Sequence, residues 1–271
     1  MQNLHAIRQQ TTQIARDAGK LIMKHYGKPH QIDFKGTHDV VTEADKAAEN
    51  LIIPALSAAY PSHHFVGEEG GHTGAPLEEA EYRWYIDPID GTTNFANNIP
   101  HFCTSIALAD ANNQPLLGVI YDPNRDEIFV AERGVGATMN DIPIQTTPTD
   151  DLNLSVMSTG FPYDRVTGEN NFAQFAHFAP RVRGIRRFGS AALDIAWVAC
   201  GRLDAYWEWR IHRWDFFAGW LIVEEAGGQI SDFAGKQSKT LNSGAQVLAT
   251  NGALHAQIVA GMQSTMEPTA G

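Results

Sequence analysis

Residues 84–95 read WYIDPIDGTTNF. An apolar run ends there in two aspartates, Asp87 and Asp90, which bracket Pro88 and Ile89; a glycine and two threonines follow at once. Like charges so close together repel, so the arrangement calls for a positive partner. Carboxylate and carbonyl oxygens are the ligands that Mg2+ prefers, with water and substrate phosphate filling its other positions. Pro88 fixes the backbone between the two acids, so both can face one pocket. Gly91 permits backbone geometry that a side chain forbids. If Thr92 opens a helical turn, the free N–H groups there form an anion site beside the cations. Taken alone, GTTN reads as an ordinary helix cap.

The whole chain is consistent with that reading. Its 271 residues, 43% of them hydrophobic, suit one large soluble domain or two tightly joined lobes. Acids outnumber bases 31 to 20, for a net charge of −11, and no Lys/Arg block is present to replace phosphate counterions. General nucleic-acid affinity is therefore not expected. Acids gathered in one place can instead hold divalent cations that recruit an anionic substrate. Cys103 and Cys200 lie in apolar stretches without a CxxC pair and read as buried free thiols. The N-terminus lacks the pattern of a signal peptide, and no segment approaches the roughly 20 apolar residues of a membrane helix. A soluble, cytoplasmic protein is expected.

Apolar residues at helical spacing predict a helix over 4–26, closed by Gly27, and a second from about Thr42. HHFVGEEGG predicts a strand that delivers acids to a rim, and RWYID, TSIALAD, LLGVIYDP and DEIFVAERG read as further strands, antiparallel to one another. GVGAT, at 134–138, reads as a hairpin turn. The second half alternates: LSVMSTG strand, NNFAQFAHFAP helix, GIRRFG strand, SAALDIAWVACGR helix capped by Ser190, DAYWEW strand, a helix starting at Asp215, strands QISDF and QVLATN, and a closing helix ALHAQIVAGM. This is an α+β chain with an α/β layer packed on its first half. The boundary falls near 140–152, giving lobes 1–145 and 146–271, and the tail STMEPTAG reads as frayed. Trp197, Trp207 and Trp220 read as core or lobe-interface residues.

Acids that end strands or begin helices recur along the chain: Asp45, Glu68, Glu69, Asp87, Asp90 and Asp215. Each alone reads as a cap or a solvated charge. Together they form a pattern. DPIDGTTNF, with VGEE at 66–69 and HRWDFFAGWLIVEEAGG at 212–228, resembles the inositol monophosphatase family of metal-dependent, lithium-sensitive phosphatases. The likeness runs from DVVTEAD at 39–45 to EEAGG at 224–228.

The resemblance implies a layered αβαβα sandwich of the sugar-phosphatase (inositol monophosphatase/fructose-1,6-bisphosphatase) type, a homodimer, and two to three Mg2+ ions per site. Glu68, Asp87 and the Ile89 carbonyl are implied as ligands of one ion, and Asp87, Asp90 and Asp215 of a second. A third, weaker ion sits near Glu68. Thr92, hydrogen-bonded towards Asp45, is implied to orient and help deprotonate the attacking water, with Glu68 also counted among the catalytic residues. Gly91 and Thr92 amides are implied to hold phosphate. Asp90, Gly189, Ser190, Ala191 and Glu208 are implied to meet the sugar or polyol, Glu208 reading equally as a surface acid at a strand end. Lys35 falls in what resembles a mobile loop over the metals, or is a solvated lysine. Arg210 departs from the pattern, because relatives commonly carry glycine there; it either narrows the pocket, meets a second anionic group, or points to solvent.

The expected activity is Mg2+-dependent hydrolysis of inositol monophosphates by in-line attack of water. Fructose-1,6-bisphosphatase, histidinol-phosphate phosphatase and nucleotide 3′-phosphatase are alternatives in the same class, and a regulatory binding protein retaining the fold is one from another. No GxxxxGK[ST], GxSxG or HExxH motif points to a different chemistry.

Overall fold

The computed structural model describes residues 3–28, 32–34, 40–162 and 170–266; Lys35 and residues 267–271 of the tail lie outside them. Helix α1 (Leu4–His25) buries Ile7, Ile14, Ala18 and Ile22 along one stripe. Strands β1 (Ile32–Phe34) and β2 (Val40–Thr42) pair antiparallel and lead into α2 (Glu43–Ala59). That helix starts where it does because Thr42 and Asp45 cap each other. Thr42 Oγ1 accepts the Ala44 N–H at 3.2 Å, and Asp45 Oδ2 accepts the Thr42 N–H at 2.8 Å.

A central sheet follows. Its strands are β3 (His64–Gly67), β4 (Gly71–Gly74), β5 (Tyr82–Asp90), β6 (Cys103–Asp110), β7 (Pro115–Asp122), β8 (Glu127–Glu132), β9 (Gly136–Met139) and β10 (Ile142–Pro143), with α3 (Thr92–Ala96) between β5 and β6. Their spatial order is β10-β9-β8-β7-β6-β5-β3-β4. A smaller sheet holds β11 (Val156–Thr159), β12 (Gly184–Arg186), β13 (Ala205–Trp209), β14 (Gln229–Ser231) and β15 (Gln246–Thr250), ordered β12-β11-β13-β15-β14. The remaining helices are α4 (Phe172–Phe178), α5 (Ala191–Ala199), α6 (Arg213–Glu225), α7 (Lys239–Asn242) and α8 (His255–Ser264). No helix among the described residues is long and apolar enough to cross a membrane.

The layers are α1 and α2, the large sheet, α5 and α6, the small sheet, then α4 and α8. Strand β7 shows why. Leu117, Val119 and Tyr121 belong to the core under α1 and α2, while Ile120 belongs to the core under α5 and α6. A strand covered on both faces is apolar throughout, and each fully buried Val, Ile or Leu stabilises the fold by roughly 1.5–3 kcal/mol.

Three local expectations need correction. Strand β3 runs parallel to β5, since β4 and the segment 75–81 return the chain to the same end of the sheet. Helix α6 begins at Arg213, not Asp215; Asp215 sits inside its first turn, where its Oδ2 accepts the His212 N–H at 2.6 Å. Ser190 occupies the N-cap position of α5 but makes no side-chain cap bond, because its hydroxyl is drawn to Asp90. Trp207 and Trp220 are fully buried, whereas Trp197 is partly exposed, with the Arg125 and Arg202 guanidinium carbons 5.1 and 5.4 Å from its ring centre.

Gly118 lets α6 lie directly on β7: a Cβ there would meet the Ala218 carbonyl oxygen at 2.5 Å. Gly118→Ala is expected to cost about 1–3 kcal/mol by pushing the helix off the sheet. Urea denaturation measures it, and an unchanged midpoint would show that the helix gives way freely.

Candidate active site

Alternation along a strand sends residues three apart to opposite faces. Asp87 and Asp90 escape this because β5 is bulged between them: Asp87 pairs with Ser105 and Asp90 with Cys103, so one residue is extra on the β5 side. Pro88 sits in the bulge, where its missing N–H costs no ladder bond, and its carbonyl accepts the Thr104 hydroxyl at 2.9 Å. Ile89 is the residue turned inward, packed with Phe95 and Phe102. The bulge, more than the proline alone, brings both carboxylates to one cavity of about 520 Å3.

Glu68 arrives from the end of β3, its N–H donating to the Ile86 carbonyl at 3.1 Å. Its loop is pinned by Glu49 of α2, whose carboxylate accepts the Glu69 and Gly70 N–H groups at 2.9 and 2.6 Å. Asp215 comes from the first turn of α6 and lines the same cavity. Burial, followed by the charges of Glu68, Asp90 and Asp215, pushes the Asp87 carboxyl well above the usual range. Burial does the same to Asp215, reinforced by Asp90 and Glu68. Asp90 is raised by burial too, against the pull of its hydrogen bonds.

Among the described residues, no three His, Cys, Asp or Glu side chains are already gathered as a metal-holding cluster; the acids ring the cavity more widely. They nonetheless fit a divalent cation. Asp87 Oδ1 is buried without a hydrogen-bond partner, and such an orphaned carboxylate oxygen is costly. An all-oxygen donor set of mutually repelling acids is the chemistry of a Mg2+-type site, with Glu68, Asp87, Asp90, Asp215 and the Ile89 carbonyl available to hold it.

Gly91 adopts φ 97°, and α3 opens directly after it. A Cβ there would lie 3.1 Å from the carbonyl oxygens of both Gly189 and His101. Thr92 Oγ1 lies 3.0 Å from Asp45 Oδ1 and 2.9 Å from the Ile89 carbonyl. One hydroxyl proton therefore faces two acceptors. Burial lifts the Asp45 carboxyl to about 6, opposed by its bonds to Thr42 and Thr92. Asp45 stands behind Thr92 and is not itself part of the cavity wall.

Across the cavity, Asp90 Oδ2 accepts from Ser190 Oγ at 2.6 Å and from the Ala192 N–H at 2.7 Å, docking it on the N-terminus of α5. Gly189 and Ala191 share this wall. Glu208 is 8% exposed and accepts the Tyr206 hydroxyl; it is no surface acid. Burial raises its carboxyl to about 7. Arg210 also lines the cavity, with φ 56°, a left-handed conformation that costs a non-glycine residue about 1 kcal/mol or more.

Several wall residues escaped the sequence reading. Asp194 is buried and lies 3.0 Å from His101 Nε2, and Arg187 and Tyr206 line the cavity. A signal for Asp194 was available: a lone acid in the apolar helix AALDIAWVA is out of place unless something inside meets it.

The sequence pattern of the inositol monophosphatase family matches residues 3–267. The chain belongs to this family. It is a phosphoric monoester hydrolase, and the family is generally metal-dependent. The phosphatase is similar to the inositol-1-monophosphatase of Synechocystis sp., 43% identical over 256 residues that span 94% of this chain and 88% of that one. Nus factor SuhB of Escherichia coli is 40% identical over 235 residues, 86% and 87% of the two chains. Among solved structures, the inositol monophosphatase from Anabaena (Nostoc) matches with a TM-score of 0.87 at 40% identity, covering 97% of both chains.

Glu208 gives the phosphatase a pH-dependent stability of known sign. Its folded value of about 7 lies above the ordinary 4.5, so the folded form holds its proton longer, and stability falls as pH rises from about 4.5 to 7. In cation-free protein, Glu208→Gln is expected to be the more stable form at pH 8, by on the order of 3 kcal/mol, and equal to the parent near pH 4. Parallel melts at the two pH values test this, and a difference that does not change with pH would contradict it.

Proposed function

We propose that the phosphatase hydrolyses myo-inositol monophosphates, with tolerance for related polyol phosphates, and that it does so with two to three Mg2+ ions. The observation that carries this is the meeting of Glu68, Asp87, Asp90 and Asp215 around one cavity, with an orphaned buried oxygen on Asp87, beside the amides that open α3. In this reading Glu68, Asp87 and the Ile89 carbonyl hold one ion, and Asp87, Asp90 and Asp215 a second; a third rests near Glu68. When bound, the cations neutralise the acids, acidify a water and offset the charge that builds on the phosphoryl oxygens.

The protein's own groups do the rest. Amides of Gly91 and Thr92 receive the phosphate at the helix start. Thr92 Oγ1 orients the attacking water and passes its proton towards Asp45, which can accept it because the two are 3.0 Å apart. Glu208, held by Tyr206, and Asp90, with Gly189, Ser190 and Ala191 beside it, meet the ring hydroxyls.

A second reading is favoured by Arg187 and Arg210. Two guanidiniums on the wall of the substrate cavity suit a substrate with a second anionic group, such as a sugar bisphosphate. Histidinol phosphate and nucleotide 3′-phosphates remain further candidates. A binding role alongside catalysis is raised by the name Nus factor SuhB among relatives of comparable similarity. We also propose a homodimer, supported by the exposed Phe172 and Phe175 beside Phe161, whose ring lies 5.0 Å from that of Phe172.

A phosphate-release panel tests the order: inositol 1-phosphate is expected to lead, and a higher kcat/KM for fructose 1,6-bisphosphate would reverse it. Asp87→Asn is expected to lower hydrolysis at least 100-fold and to abolish the rise in Tm on adding Mg2+, as removal of a central electrostatic group implies. Hydrolysis at the parental rate would remove Asp87 from the mechanism. Asp45 must be ionised to accept a proton, so at saturating Mg2+ the rate is expected to fall in acid. The fall is expected below the value of about 6 that burial gives the cation-free carboxyl, because neighbouring cations favour its ionised form. In Asp45→Asn that acid limb disappears, and a limb that persists unchanged assigns it to another group.

A further inference from the structure

Behind the first turn of α6 lies a second cavity of about 550 Å3, walled by Leu77, Arg83, Tyr85, Asn113, Arg213 and Trp214. That volume is in the range of small-molecule sites. What sets it apart is its charge. Arg16, Arg125, Arg133 and Arg202 are each ion-paired to an acid. Arg83 and Arg213 instead donate to neutral oxygens: Arg83 to Asn113 Oδ1 at 3.1 Å and the Leu77 carbonyl at 3.2 Å, Arg213 to the Asn242 carbonyl at 2.8 Å. The Nε of Arg83 is buried with no partner at all. Arg8, Arg181 and Arg186 also donate to neutral oxygens, but Arg83 and Arg213 are two such guanidiniums meeting on one cavity of a chain whose net charge is −11. Both residues are only half-buried, so an incoming anion can reach them, and a bond to the buried Arg83 Nε would remove the cost of leaving it unsatisfied.

The remaining walls say what the anion is attached to. Tyr85 is buried, its hydroxyl bonded to Asn113 Oδ1 at 2.7 Å and its ring packed on Phe217 at 4.8 Å between centroids, so it meets the cavity by the edge of its ring. Arg213 lies over that ring at 5.7 Å, and Trp214 and Leu77 add apolar surface. Guanidiniums recognise phosphate by paired N–H donors, and flat apolar bodies stack on aromatic walls.

The position matters as much as the chemistry. Trp214 and His212 border both this cavity and the acid-lined one, and Asp215 is the next residue along. The Trp214 carbonyl accepts the Ser105 hydroxyl at 2.8 Å, tying the turn to β6. A ligand that holds Arg213 and Trp214 in one arrangement therefore acts on the turn that places Asp215. We propose that this cavity binds a small organic phosphate, its anionic group on Arg83 and Arg213 and its flat body against Tyr85 and Trp214, and that occupancy changes turnover at the acid-lined site.

The test uses phenylphosphonate, which has the anion and the ring but no ester to hydrolyse. In EDTA the unneutralised acids oppose anion binding in the first cavity, and variants confined to the second assign the calorimetric titration. One saturable site is expected in the parent, weakened at least tenfold in Arg83→Gln and in Leu77→Trp, which fills the cavity from its exposed edge. With Mg2+ and saturating substrate, the probe is expected to change kcat at least twofold in the parent and to leave both variants unaffected. No saturable binding in EDTA, parental binding in both variants, or an unmoved kcat at saturating probe overturns the proposal. Should Arg83→Gln fail to fold, Leu77→Trp decides alone. The binding arm does not depend on the function proposed above: a parent that hydrolyses nothing contradicts that reading, while the titration still judges the cavity.

Discussion

Mutual repulsion of buried carboxylates is the constraint around which this molecule is arranged. Glu68, Asp87, Asp90 and Asp215 share one cavity; burial together with like charge raises Asp87 and Asp215 above the ordinary range, and burial raises Asp90. A flexible framework would relax by turning them into water. Here each acid is borne by an element that cannot move away cheaply. Asp87 and Asp90 sit on a central strand bonded to β3 and β6, Glu68 follows a fully buried strand, and Asp215 lies in the first turn of a helix enclosed between two sheets. The apolar layers supply the free energy that holds the charges together.

Three helix starts converge on the same place, each with a different task. The N-terminus of α5 receives Asp90 through Ser190 and Ala192, which fixes one carboxylate oxygen. In α6 the first turn is closed by Asp215 itself. At α3 the start after Gly91 is aimed at the cavity, and Thr92 links it to Asp45 and hence to the capped start of α2. Free N–H groups and macrodipoles thus surround the acids on several sides, which favours negative charge there without supplying a full counter-charge. Six acids line the cavity against the two arginines Arg187 and Arg210, an imbalance that suits divalent cations.

Relatives of similar identity carry two different names, inositol-1-monophosphatase and Nus factor SuhB. Glu68, Asp87, Asp90 and Asp215 line one cavity together with Arg187, Arg210 and Glu208, and Arg83 and Arg213 line a neighbouring one. In the proposed function, chemistry falls to those first four acids and selectivity to the other side chains. The left-handed Arg210 is the clearest case, since its backbone strain is retained at a position that faces the cavity.

The order of the main elements was legible because hydrophobic pattern distinguishes helix from strand: the stripe of α1 and the short unbroken apolar run of β7 are both visible in the letters. DPIDGTTNF likewise announced a turn crowded with acids. What the letters could not convey is anything that depends on a partner distant in sequence. Ser190 looks like a cap until Asp90, a hundred residues earlier, takes its hydroxyl. The bulge that turns Asp87 and Asp90 to one side exists only in register with β6, and the parallel pairing of β3 with β5 only in the assembled sheet. Asp194 and His101 gain their meaning from burial and from each other, and Arg83 and Arg213 from the cavity they share. Local propensity and covalent order are properties of the chain; dielectric, register and the identity of a buried neighbour come into being when the layers close.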